Sequence, residues 1–93
     1  PIALSLATIF SFFRKLLIYH YLKDKSRNRV ASILRINPFF VSEYEMASRN
    51  YDPRKTIRII HLLRQFDMKS KGVGDISSSP GDLLKELVFK IMH

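Results

Sequence analysis

Ninety-three residues make one domain of modest stability, because a chain this short buries only roughly 60 to 65% of its extended surface. Hydrophobic residues at 46% and charged residues at 26% exclude a disordered chain, and the lack of Cys excludes disulfides and thiolate metal sites. The net charge of +8, from 16 Lys and Arg against 8 Asp and Glu, suits nucleic acid, an anionic membrane, an acidic protein, or a solvated face balanced elsewhere in a longer protein.

The chain opens on Pro1, as a fragment or processed product is expected to. Residues 1 to 13 are uncharged and mostly apolar, but Arg14 and Lys15 end the run, short of the about 20 residues a membrane span needs. A signal peptide would carry its positive charges ahead of the apolar run instead. A buried helix over about 3 to 22 is expected. Leu6, Phe10, Phe13, Leu17 and Tyr21 form its stripe, Ile9, Leu16 and His20 lie beside it, and Leu4, Phe12, Ile18 and Tyr19 widen it.

Asn37-Pro38, Asp52-Pro53 and Ser79-Pro80 each place a capping side chain before a proline whose fixed φ suits the first helical position. A second helix, about 26 to 36, turns Val30, Ile33 and Leu34 inward and ends before Pro38. The third, about 38 to 50, carries Phe40, Tyr44 and Ala47 with Phe39 and Val41 at its flanks. The fourth, about 53 to 71, has Ile57, Ile60, Leu63 and Phe66 on its face, broadened by Ile59 and Leu62, and stops at Gly72. After a connection over 72 to 79, a fifth helix, about 80 to 92, packs Leu83, Leu84, Leu87, Val88 and Ile91. With no sustained strand alternation and no long repeat, the expected class is all-α, a single bundle of about five helices.

Catalytic chemistry has little to work with. His20, His61 and His93 show no metal-ligand spacing, and Lys71-Gly-Val-Gly-Asp75 follows a helix instead of a strand, so it reads as a helix stop and not a phosphate loop. Lys23, Lys25, Arg27, Arg29 and Arg35 surround the single acid Asp24 and are candidate phosphate contacts, though no aromatic side chain stands among them to stack on bases. Arg54, Lys55 and Arg58 sit at the positive end of a helix dipole, where Glu43 or Glu45 is a natural acidic partner. Asp67 and Lys71 have the spacing of a helical ion pair, worth about 0.3 to 0.5 kcal/mol when exposed.

Three segments, Arg-Ile-Asn-Pro-Phe-Phe at 35 to 40, Leu-Leu-Arg-Gln-Phe-Asp-Met-Lys-Ser-Lys-Gly at 62 to 72 and Gly-Asp-Leu-Leu-Lys-Glu-Leu at 81 to 87, follow one another in an order that resembles the C-terminal domain of the delta subunit of bacterial DNA polymerase III, in the clamp-loader family. The resemblance implies that residues 1 to 93 are a helical collar domain, an oligomerisation module of a longer subunit whose N-terminal AAA+-like modules lie outside this sequence. It implies a role in DNA replication, as part of a cytoplasmic bacterial hetero-pentamer that opens the sliding clamp and loads it on primed DNA. The partners would be the other loader subunits, the clamp through the N-terminal region, and primed DNA through the assembled complex. This domain itself would have no enzymatic activity, no cofactor and no membrane contact, although its parent belongs to a DNA polymerase holoenzyme. Asp67, Lys71 and Gly72 would mark the structural end of the fourth helix. Apolar residues beyond the needs of the core, Phe12, Ile18 and Tyr19, with Lys85 and Lys90 on the last helix, would meet neighbouring subunits. Two alternatives accompany this reading: the collar of a sibling loader subunit, and a basic helical nucleic-acid-binding module, for which Arg54, Arg58 and Gln65 offer a sparse recognition set. A membrane-surface helix at the N-terminus would need cations where Ser5, Thr8 and Ser11 stand.

Overall fold

The computed structural model describes residues 2–70, 85 and 88–90. Among these, every regular element is helical: α1 (Ile2–Tyr21), α2 (Arg27–Leu34), a 3-10 turn (Pro38–Phe40) leading into α3 (Val41–Asn50), and α4 (Pro53–Ser70). Residues 85 and 88–90 are helical as well, within the span expected for a fifth helix. The all-α class is therefore observed. Lys71 and Gly72, the connection over 72 to 79, and Leu83, Leu84, Leu87 and Ile91 of the expected last face lie outside the described residues.

Each boundary has a local cause. Asp52 accepts the Lys55 amide through Oδ1 at 2.7 Å, and with Pro53 at the first position it starts α4. Asn37 Oδ1 likewise accepts the Phe39 amide at 2.9 Å, but Pro38–Phe40 winds as 3-10 helix before α3 begins at Val41. The end of α2 is less usual. Arg35 adopts the left-handed conformation (φ 56°, ψ 51°), and the Ala31 carbonyl accepts both the Arg35 amide and, at 3.1 Å, the Ile36 amide, closing the last turn in the Schellman manner. A residue with a Cβ occupies the place usually taken by glycine.

Packing is built around α1, which lies antiparallel to α4 and also touches α2 and α3. The antiparallel sense follows from Phe13 and His20 meeting Tyr51, just before α4, while Leu6 and Phe10 share a cleft with Arg64 and Asp67. Leu16, Val30, Ile59 and Leu63 are fully buried; Leu6, Phe13, Tyr19, Ala31, Leu34, Val41, Tyr44 and Phe66 complete the core.

Several expected faces are rotated. On α1 the buried line is Leu6, Phe13, Leu16 and Tyr19, whereas Tyr21 is exposed and Leu17 half-buried. On α2, Ala31 is buried and Ile33 only partly so. On α3, Val41 and Tyr44 point inward, and Phe40 and Phe39 stand in solvent, Phe39 at 76% exposure. The 3-10 turn explains this shift: its three residues per turn swing Phe39 and Phe40 away from the line that the following α-helical residues hold. On α4 the inward line is Thr56, Ile59, Leu63 and Phe66; Ile57 is exposed and Ile60 and Leu62 are half-buried. Thr56 belongs inside because its hydroxyl is satisfied, with Oγ1 2.8 Å from the Asp52 carbonyl and 3.2 Å from that of Tyr51. Val88, expected in the core, is exposed.

Leu63→Ala should lower the unfolding free energy by about 2 to 5 kcal/mol, since the side chain is fully enclosed; a thermal midpoint shifted by only a degree or so would contradict that enclosure. Arg35→Gly should raise it by about 0.5 to 1 kcal/mol, because glycine adopts φ 56° without steric cost. A urea midpoint that fell in this variant would mean that guanidinium contacts outweigh the backbone relief.

Candidate functional site

The five cations expected as one cluster between α1 and α2 take different places in the structure. Lys25 Nζ donates to the Leu22 carbonyl at 2.6 Å and lies 3.4 Å from that of His20, which places a cation against the C-terminal carbonyls of α1. It also sits 5.5 Å from the centre of the Tyr19 ring, within cation–π reach. Asp24 Oδ1 accepts the Ser26 amide at 2.9 Å, and this bond, with help from the Ser26 side chain and Arg29, holds the Asp24 carboxyl below its ordinary value. Lys25 is thus a cap. Arg35 stands on the rim of a separate cleft, and Lys23, Arg27 and Arg29 remain as exposed cations.

The expected interface set is also divided. Tyr19 retains 5% exposure, and Phe12 stacks on Tyr44 (ring centres 4.7 Å apart, 25° between planes) while meeting Phe13 edge to face. Tyr19 is buried, which removes it from the expected outer face, and Phe12 is half-buried with its ring engaged inside the bundle. Three neighbouring helices cover part of the apolar circumference of α1 and leave Ile9, Ile18 and Tyr21 exposed. Ile18 stays exposed at 46%, and Lys85 and Lys90 are exposed. The Lys90 carbonyl lies 3.4 Å from Arg58 Nη2, so this stretch runs beside α4. Ile9, expected at the margin of the core stripe, lies on the same side of α1 as Leu16, two turns away, yet keeps 40% exposure where Leu16 keeps none. Asp67 is half-buried on α4. Glu45 pairs with Arg49 at 3.2 Å instead of serving the cations that open α4; Lys55 approaches the Tyr51 ring at 5.4 Å.

A feature not anticipated from the sequence is a cleft of about 940 Å³ between α1, α2 and α4. Among the described residues it is lined by Leu6, Ala7, Phe10, Ser11 and Ile18 of α1 and Ile33 and Leu34 of α2; Arg14, Lys15, Arg35 and Arg64 bring four cations to it and Asp67 one acid. Arg14 packs over the Phe10 ring at 5.8 Å. The signal was present in the spacing of Ala7, Ser11, Arg14 and Ile18, at i, i+4, i+7 and i+11, which places them on one face of α1. It was obscured because two of the four residues are small and one is charged.

Among the described residues, no group of three or more His, Cys, Asp or Glu side chains is placed to hold a metal ion, and no helix is long and apolar enough to cross a membrane. Burial pushes the Tyr44 and Tyr19 hydroxyls above their ordinary value of 10.0, with Glu43 adding to the effect at Tyr44 and Glu45 at Tyr19, where Arg49 opposes it. A raised value favours the neutral phenol in the fold. The associated stability is fully present below about pH 10 and is lost as pH climbs through the raised values. In an alkaline titration followed by tyrosinate absorbance and circular dichroism, ionisation of these two tyrosines should coincide with loss of helix; ionisation at the ordinary value with the fold intact would contradict their burial. Set against family models, curated proteins and solved structures, the chain matches none, so its role has to be read from these residues.

Proposed function

We propose that this chain is an assembly domain of the clamp-loader collar type, joining a subunit of the delta class to its neighbours in a loader that places the sliding clamp on primed DNA. The observation that carries the reading is Ile9. An apolar side chain on the core-facing side of the central helix is left exposed where the described bundle does not reach it. Apolar surface at such a position is what a docking neighbour would cover. Val88 and Phe89, the latter at 62% exposure, add apolar surface on the later helical stretch, beside the cations Lys85 and Lys90. The order of helices and the Asn37-Pro38 entry to α3 support the same family.

One observation favours a nucleic-acid-binding role as the second reading. Arg54, Arg58, His61 and Gln65 fall at i, i+4, i+7 and i+11 on α4 and are all exposed, so they share one outward face. Arg58 also lies against the Lys90 carbonyl, which narrows the room that face offers a groove.

The discriminating experiment uses the full-length subunit carrying Ile9→Glu, Lys85→Glu and Lys90→Glu. Reconstitution with the other loader subunits should weaken by about tenfold or more, as loss of a well-packed interface anchor does, while clamp binding through the N-terminal region persists. Unchanged assembly together with weakened, salt-dependent DNA binding would give the function to the second reading.

A further inference from the structure

The cleft between α1, α2 and α4 is not needed for the assembly reading, and its role is independent of it. Its two components are arranged as a helix seat. Along α1, Ala7 and Ser11 have small side chains that leave room for an incoming helix, and Ile18, with Ile33 and Leu34 from α2, supplies aliphatic surface. Among the described residues that line it stand Arg14, Lys15, Arg35 and Arg64, against the one carboxylate of Asp67. Positions i, i+4, i+7 and i+11, here Ala7, Ser11, Arg14 and Ile18, share one helix face, and such a face is where a second helix can be laid. The surplus of three positive charges among these described residues selects what the incoming helix carries on its flanks.

Two alternative occupants fit less well. A second copy of this chain would bring its own net charge of +8 to a basic rim. Single-stranded nucleic acid would satisfy the cations, but it needs flat exposed rings to stack on. Among the described residues the cleft offers one ring, Phe10, which is half-buried with the Arg14 guanidinium over it. The later helical stretch of this chain lies elsewhere at Lys90: it meets Arg58, six residues and therefore about 240° around α4 from Arg64. We propose that the α1–α2–α4 cleft binds an acidic amphipathic helix of a partner protein, its apolar seam on Ala7, Ser11 and Ile18 and its carboxylates paired with Arg14, Arg35 and Arg64.

The test uses the whole 93-residue chain and four labelled probes read by fluorescence anisotropy. Three are helical peptides of about five turns: one with a leucine seam flanked by glutamates, one with the same seam flanked by lysines, and one with the glutamates but serine in place of leucine. The fourth is oligothymidylate. The acidic seam peptide should bind at least about tenfold more tightly than the other two peptides, and its affinity should fall with added salt. Arg14→Glu with Arg64→Glu should weaken it by about tenfold or more. So should Ser11→Trp, which fills the seat from an exposed position and leaves the core untouched, while Lys23→Glu with Arg27→Glu should leave it unchanged. Circular dichroism of each variant confirms that the helices persist. Equal binding of the three peptides, no binding of any, or indifference to both Ser11→Trp and the arginine reversals would overturn the proposal. So would tighter binding of oligothymidylate abolished by the same arginine reversals, which would make the cleft a nucleic-acid channel.

Discussion

The rest of the fold depends on one constraint: α1 is apolar around most of its circumference and has to be covered. Phe13 and Tyr19, six residues and therefore about 120° apart around the helix, are both buried, so the cover has to come from more than one side. Supplying Ile59, Leu63 and Phe66 along one side, α4 does the largest share of this, while Tyr44 of α3 covers Phe12 by ring stacking. The short helices α2 and α3 have 8 and 10 residues, below the length at which helices hold together alone in water. Their shape is therefore a product of this covering and not an independent preference.

Helix starts were legible in the sequence because they are local chemistry. Asp52 starts α4 at Pro53 and Asn37 starts the 3-10 turn at Pro38, as their prolines imply, with α3 itself beginning three residues later at Val41. Which face of each helix turns inward was less legible. Counting apolar residues passes over Thr56, whose methyl and satisfied hydroxyl fit a core, and over Ala31, whose small side chain lets α2 approach closely. It also gives too much weight to Phe39 and Phe40, because a three-residue change of helical pitch is invisible to a pattern with a fixed period.

The candidate sites show the same division. Five cations between residues 23 and 35 look alike in the sequence, yet Lys25 closes a helix end, Arg35 adopts a left-handed backbone at a cleft rim, and the other three stand in solvent. Charge clustering in sequence is a statement about proximity along the chain, whereas a binding surface requires that side chains converge from different elements. Arg14, Lys15, Arg35 and Arg64 do converge, although they come from three helices or their ends.

Tyr51 joins α1, α3 and α4 largely through backbone atoms. Its amide donates to the Ala47 carbonyl at 2.9 Å, its carbonyl accepts from His20 Nε2 at 2.7 Å, and the Thr56 hydroxyl lies 3.2 Å from that same oxygen. Because a carbonyl can only accept, the imidazole must carry a hydrogen on Nε2. Only the ring, set edge to face against Phe13, belongs to tyrosine as such. A substitution scan at position 51 would consequently report on that ring and remain blind to the carbonyl, which every replacement retains. The strength of this crossing has to be read from its donors, at positions 20 and 56, where the sequence can change the chemistry.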